Sequence, residues 1–231
     1  MLSNSNRRMT DITEPTDLCL RYGGIGLRVR RPAGDHGFEV DALHRPFVSD
    51  DPPDIVLHTY RRSLRDFPVG NQRFDAGGSW SLHARDGRQI IRVPSDPVEP
   101  TRIGVFATDW HSGDIYIDEV LPASLSPVGY PIEELVTIHL LASQGGILLH
   151  ASAVKNGGRG VLFNGMSGAG KSTIATLWEG RDGAVVLSDD RVIVRECDDE
   201  EFWAYGTPWH GSARISSSER VPLECIFLIR H

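Results

Sequence analysis

The segment GVLFNGMSGAGKST, Gly160 to Thr173, constrains this chain more than any other stretch. Inside it runs G-x-x-x-x-G-K-S, the Walker A pattern, from Gly165 through Met166, Ser167, Gly168, Ala169 and Gly170 to Lys171 and Ser172. Such a loop needs a buried strand before it and a helix after it. Gly160 to Phe163 reads as that strand, and Ser172 to Glu179 as that helix. Glycines at 165, 168 and 170 accept backbone angles that other residues avoid, so N–H groups can turn inward. With the positive end of the helix they form a cradle for phosphate oxygens. Lys171 is placed to reach the outer phosphates, the Ser172 hydroxyl to hold a magnesium ion, and Thr173 to close the first turn beside them. Gly165 to Thr173 is therefore the expected nucleotide-binding segment.

The position of this loop excludes the commonest architecture that carries it. Parallel phosphate-loop domains place the loop early and then add β-α crossovers of ~30 residues each. Here the chain ends at residue 231, only 59 positions after Ser172. Those positions read mostly as strands: AVVLS and RVIVREC around an acidic pair, then EFWAYGTPWHG and PLECIFLIRH. Upstream, YPIEELVTIHLLASQGG gives a helix with proline in its first turn, Glu133 and Glu134 at its positive end and glycines at its close. Its apolar positions are Ile132, Leu135, Val136, Ile138, Leu140 and Leu141. ILLHASAV, a two-glycine turn and the strand into the loop then form an antiparallel hairpin.

The first half alternates apolar and polar residues in LCLRYGGIGLRVRR, DIVLHTYRR, SWSLHARDGRQIIRVP and DIYIDEVL. Asp86-Gly87 suits a tight hairpin turn. The organisation predicted is a polar tail over 1–17, a β-rich unit over 18–125 and the phosphate-loop unit over 126–231. Trp80, Trp110 and His111 read as packing, and Arg30-Arg31 and Arg61-Arg62 as solvated strand faces.

Composition narrows the partners. Forty per cent apolar and 24% charged residues describe an ordinary globular chain. The net charge of −7 is spread out, which argues against nucleic acid or an anionic membrane as partner. No apolar run approaches a membrane span, and MLSNSNRRMTDITEPT has no secretory pattern. Cys19, Cys197 and Cys225 are odd in number and without metal-ligand spacing, which suits free thiols in the cytoplasm. Whether the chain acts alone or as a homo-oligomer stays open.

Two further features bear on chemistry. Asp189 and Asp190 follow the apolar Val185-Val186-Leu187, at the carboxyl end of a strand. One carboxylate can serve a metal ion and the other can take a proton, and adjacency raises the proton affinity of both. Asp189 is read as the base and Asp190 as the metal-side partner with Ser172; the reverse order stays open. GTPWHG, Gly206 to Gly211, is a turn-rich stretch that reads equally as a structural loop or as one that brings Trp209 or His210 to the mouth of the nucleotide or acceptor pocket.

Taken together, YPIEELVTIHLLASQGGILLHASAV, GRGVLFNGMSGAGKSTIATLWE, VVLSDDRVIV and YGTPWHG resemble the catalytic domain of the HPr serine kinase/phosphorylase family. That group includes relatives found beside peptide-modification genes, among them kinases of lasso-peptide precursors. The resemblance spans about Tyr130 to Gly211, roughly a third of the chain. It implies an α/β (α+β-like) fold, a mixed sheet of the phosphoenolpyruvate-carboxykinase-like type with an atypical phosphate loop, preceded by the β-rich N-terminal domain. It implies an ATP-dependent, Mg2+-requiring kinase acting on a serine of a protein or peptide. It places a catalytic base in the acidic pair, and it places His150, otherwise an ordinary residue after an apolar strand, near the transferred phosphate beside Lys171. The family's metal-binding glutamate has no clear counterpart, with Glu219 and Glu224 matching by type alone. That departure counts against phosphorylase activity and against HPr as substrate. Relatives also continue beyond the point where VPLECIFLIRH stops, which reads as a shortened C-terminal end. The alternative reading is an ATP-binding module or scaffold without transfer; a third is a small-molecule kinase or carboxykinase on the same fold, the carboxykinase ranking last for want of further metal and substrate ligands.

Overall fold

Period-two alternation along the first half builds one eight-stranded sheet in the computed structural model, which describes residues 17–31, 40–197 and 201–230. The tail expected over 1–17 lies outside the described residues except for Asp17. The strands are β1 (Asp17–Tyr22), β2 (Ile25–Arg30), β3 (Ile55–Arg62), β4 (Asn71–Asp75), β5 (Ser81–Arg85), β6 (Arg88–Val93), β7 (Arg102–Phe106) and β8 (Ser112–Asp118). Their spatial order is β1-β2-β3-β8-β7-β6-β5-β4. β3 lies parallel to both β2 and β8, and the other pairs are antiparallel. The alternation buries Ile55, Leu57 and Thr59 of β3 and Ile115 and Ile117 of β8, with Leu57 opposite Gly113 and Thr59 opposite Ile115. Asp86 and Gly87 both take positive φ, 50° and 72°, as the two-residue turn between β5 and β6 requires.

The second half begins with α1 (Ile132–Ser143) and continues as β9 (Gly146–Asn156), β10 (Arg159–Gly165), α2 (Lys171–Trp178), β11 (Ala184–Ser188), β12 (Arg191–Glu196), β13 (Phe202–Tyr205) and β14 (Arg220–Ile229). β9 is the hub. Its 151–156 portion pairs with β10, its 146–150 portion with β12, and its last residues with β11. β14 runs antiparallel to β13 at its start and parallel to β10 from Leu223 onward. The ring β9-β10-β14-β13-β12 thus closes on itself as a five-stranded barrel, with β11 laid along β9.

This corrects the expected fold. Among the described residues 46% are strand and 11% helix, with two α-helices, a sheet of eight strands and a five-strand barrel; this is not an α/β fold of the carboxykinase type. The physical reason lies after α2, where the described residues return as the strands β11 to β14 and offer no further helix to cover a sheet face. A ring of so few strands leaves a narrow interior, and small residues fill it: Ala151, Ala153 and Ala204 with Leu162, Val192, Val194 and Val221. No helix among the described residues is long and apolar enough to cross a membrane.

The main core joins the two halves. Leu20, Leu27, Leu57, Phe106 and Ile115 from the sheet pack with Ile132, Val136, Leu140 and Leu141 of α1 and with Ile193 and Tyr205 of the barrel. Trp110, read from sequence as packing, stacks on Phe106 and on His139 of α1, with ring centroids 4.8 and 3.8 Å away. Ile138, expected on the apolar stripe, is exposed, while Glu133, expected at a free helix end, is buried. Burial is tolerable because Glu133 accepts a hydrogen bond from the Tyr22 hydroxyl at 2.8 Å and faces His44 Nε2 at 3.4 Å. His44 Nδ1 reaches Asp41 at 2.7 Å. Burial pulls the His44 pKa down, but Glu133 and Asp41 outweigh it, and the net shift is upward from 6.5.

A raised histidine pKa stabilises the fold fully below the unfolded value and loses that contribution as pH rises through the folded one. The stability gap between the native chain and His44→Gln should therefore be widest near pH 6 and shrink toward about pH 8. Urea unfolding across that range checks it; a gap that widens with pH refutes the assignment.

Candidate functional site

Strand β10 ends at Gly165, and α2 begins at Lys171, so the loop spans the gap between a barrel strand and a helix N-terminus. Gly170 holds φ at 96°, a conformation that a side chain resists, and this turns the chain into α2. The first N–H groups of a helix have no carbonyl partner within it and carry its positive end. Lys171 is 5% exposed, and its ammonium donates to the Gly165 and Met166 carbonyls at 2.8 and 2.9 Å. The Ser152 hydroxyl of β9 donates to the Lys171 carbonyl at 3.2 Å and so ties the helix start to the hub strand.

The two acids part company. Asp189 is 1% exposed and turns away from the loop. Its Oδ1 accepts from the N–H of Gly211 at 2.8 Å and Ile215 at 3.4 Å, and its Oδ2 from Ala213 at 2.8 Å. All of its carboxylate's bonds go to backbone, and Asp189, expected as the base, is not among the residues that line the cavity over the loop. The pair does not act as two adjacent carboxylates. Asp190 instead turns into the cleft. Its Oδ1 lies 3.0 Å from His150 Nε2, and its Oδ2 accepts from Arg191 at 2.7 Å. His150 has its pKa lowered, first by burial and then by the charges of Lys171 and Arg191, against the pull of Asp190.

A cavity of about 340 Å³ lies over the loop, lined by Ser167, Gly168, Gly170, Lys171, Ser172 and Thr173 on one side and His150, Asp190, Gly211 and Ser212 on the other. The structure thus brings together His150, Asp190 and the loop. It leaves out Asp189, which acts from behind by fixing Gly211. A Cβ at Gly211 would meet Asp189 Oδ2 at 2.8 Å, so the close approach requires glycine.

The donor set can be tested against the expected groups. The cradle at the start of α2, with Lys171, suits an anionic phosphate chain. Magnesium prefers oxygen ligands and keeps several waters. The Ser172 hydroxyl and the Asp190 carboxylate are oxygens that line the cavity, and no group of three or more His, Cys, Asp or Glu forms a metal cage among the described residues. That combination fits a magnesium ion carried in by phosphates. Glu219 and Glu224 are elsewhere, paired with Lys155 and Arg159 on the barrel surface. Trp209 and His210 line a neighbouring cavity.

Two residues were missed by sequence reasoning. Arg191 follows the acidic pair and grips Asp190; Glu134, at 3.6 Å, holds the other side of Arg191. Burial raises the Glu134 pKa, with Arg191 opposing and Asp190 and Glu133 adding to the rise. The signal was present as an E-E pair and a D-D-R triplet, but nothing in the spacing joined residues 57 positions apart.

No protein-family model matches the chain, and no curated protein matches it.

The different surroundings of the two acids give a prediction. Asp189→Ala strands three backbone donors and should cost about 3 kcal/mol of stability, whereas Asp190→Ala should cost about 1 kcal/mol or less. Urea unfolding of the two variants checks the contrast; equal losses would refute it.

Proposed function

We propose that the chain is an ATP-dependent, magnesium-requiring phosphotransferase that moves the outer phosphoryl group to a serine hydroxyl on a protein or peptide. The reading includes a relationship to the HPr-kinase-like group, carried by the sequence resemblance, and a cytoplasmic setting. One observation carries it most: the Asp190 carboxylate, held by His150 and Arg191, opens on the same cavity as Lys171 and the start of α2.

Phosphoryl transfer needs in-line positioning and charge neutralisation more than covalent help from the protein. The loop amides and Lys171 hold the phosphate chain of ATP, and Ser172 is the residue that would hold magnesium directly or through water, which leaves Asp190 for the acceptor. The metal neutralises charge on the phosphate oxygens. Asp190 orients the acceptor hydroxyl and takes its proton as that oxygen bonds the outer phosphorus. The bond from that phosphorus to the bridging oxygen breaks, and ADP leaves. Arg191 donates to Asp190 Oδ2 at 2.7 Å and His150 Nε2 lies 3.0 Å from Oδ1, so the carboxylate is fixed while lone pairs remain for the hydroxyl. Asp189 positions the far wall. Assigning the base to Asp190 reverses the order first read from the sequence.

Calorimetry and labelled ATP test this together. Lys171→Ala should weaken Mg-ATP binding about tenfold or more. Asp190→Ala should bind ATP with an affinity within about threefold of the native value yet lose transfer about 100-fold or more. A native chain that binds no nucleotide overturns the proposal. Binding without label on any acceptor removes the kinase and leaves the ATP-binding module.

A further inference from the structure

A second cavity, of about 480 Å³, lies against the other side of Asp190 and Arg191. Three parts of the chain enclose it: the loop carrying Asp41 and His44, the start of α1 with Tyr130, Glu133 and Glu134, and the Pro208-Trp209-His210 turn. Asp190 lines both this cavity and the one over the phosphate loop. It is a shared wall. A hydroxyl presented from the second cavity therefore meets the same carboxylate that faces the phosphates.

The charge of this second cavity is one-sided. Asp41, Glu133, Glu134 and Asp190 bring four carboxylates, against Arg191 and, when protonated, His44 and His210. The commitments of these acids differ. Glu133 is used by Tyr22 and His44, and Asp41 by His44 and its own backbone. Glu134 has a side chain only 15% exposed, and its cationic partner is Arg191 Nε at 3.6 Å, a guanidinium that Asp190 holds more closely at 2.7 Å. A mostly buried carboxylate with a distant, shared partner has unused capacity for a cation. Tyr130 and Trp209 add aromatic surface to the same walls, and Trp209 is braced edge-on against Tyr22 at 5.0 Å. Aromatic faces beside carboxylates favour cationic groups.

Spacing sets the last condition. Asp190 and Glu134 contact one guanidinium at 2.7 and 3.6 Å, so their oxygens are separated by no more than its span plus those two contacts. A serine and an adjacent lysine or arginine, with Cα atoms about 3.8 Å apart and a long flexible cationic arm, cover such a span. We propose that the second cavity is the acceptor subsite and selects a serine next to a lysine or arginine, the serine hydroxyl addressing Asp190 and the cationic neighbour Glu134. This rests on the phosphotransferase reading above and adds the class of acceptor. Arg191 then leans wholly on Asp190 and holds it in place for the proton.

The test uses the full chain with Mg-ATP and two heptapeptides, GGKSKGG and GGESEGG. Phosphate incorporation read by mass spectrometry should favour the lysine peptide by about tenfold or more in kcat/KM. Glu134→Gln should reduce that preference to within about threefold, and a fluorescent ATP analogue bound at native affinity shows that the variant is folded. In parallel, anisotropy of the labelled peptides with a non-hydrolysable ATP analogue reads binding alone. Equal or better use of GGESEGG, or a preference unmoved by Glu134→Gln, overturns the subsite. Selective binding of GGKSKGG without transfer to either peptide supports the subsite and overturns the kinase. Nucleotide binding with no charge-selective peptide binding overturns the subsite alone.

Discussion

The buried carboxylate of Asp189 determines how the functional region is assembled. It takes three backbone donors from residues 211, 213 and 215, a stretch with no regular secondary structure to satisfy them. Without it, the segment between β13 and β14 would have polar backbone facing the barrel and no partner. With it, Gly211 and Ser212 stand opposite the phosphate loop, and the preceding turn is carried to α1. The neighbouring contacts reinforce this. The Ser188 hydroxyl donates to the Trp209 carbonyl, and the Thr207 hydroxyl to the Arg191 carbonyl. Gly206 passes so close to the Ser217 and Leu187 carbonyls that a Cβ there would overlap both. The acid that looked catalytic by its position is thus the anchor of the walls around its neighbour.

A phosphate loop on a five-stranded barrel is consistent with what such a loop needs. The physical requirement is local: a strand that stops, a glycine-bearing turn and a helix whose N-terminus points at the anion. A parallel α/β sheet is one way to supply these, and here the β9–β10 hairpin supplies them another way. Ser152, on β9, reaches across to the start of α2, and the Asp190 carbonyl accepts from the Ala151 N–H. β9 therefore aligns the loop, His150 and the acidic turn at once. Fold and site chemistry are separable in this sense.

Local patterns in the sequence were legible, and their closure was not. The hairpins at Asp86-Gly87 and at Gly157-Gly158, the two helices and the strand on each side of Asp189-Asp190 could all be read from alternation and turn residues. The barrel could not, because β9 and β14 each change partner along their length, and no residue type marks that change. The parallel pairing of β14 with β10 joins segments some sixty residues apart and is invisible to periodicity. At the site, the loop was legible because each of its positions has a chemical reason. The roles of the two acids were not, since D-D at a strand end is symmetrical on paper and only the 211–215 backbone decides which one turns inward. Glu133 misled for a related reason. An acid in a first helical turn ordinarily faces solvent at the positive end, and only Tyr22 and His44, from another part of the chain, make its burial favourable.

The long N-terminal half gains a purpose from the same geometry. Its sheet packs on α1 through Phe106, Trp110 and His139 and on the barrel through Tyr22 and Trp209, and these contacts fix where Glu133 and Glu134 lie. The loop bearing Asp41 and His44 reaches over to complete the second cavity and accepts a hydrogen bond from Ser216 at the Leu43 carbonyl. On the proposed reading, nucleotide chemistry belongs to the barrel, and recognition of the acceptor belongs to the seam between barrel and sheet. A seam of that kind can change its preference through residues such as Glu134 without touching the phosphate loop. The two functions meet at a single carboxylate, Asp190, whose two oxygens are held from opposite sides by His150 and Arg191.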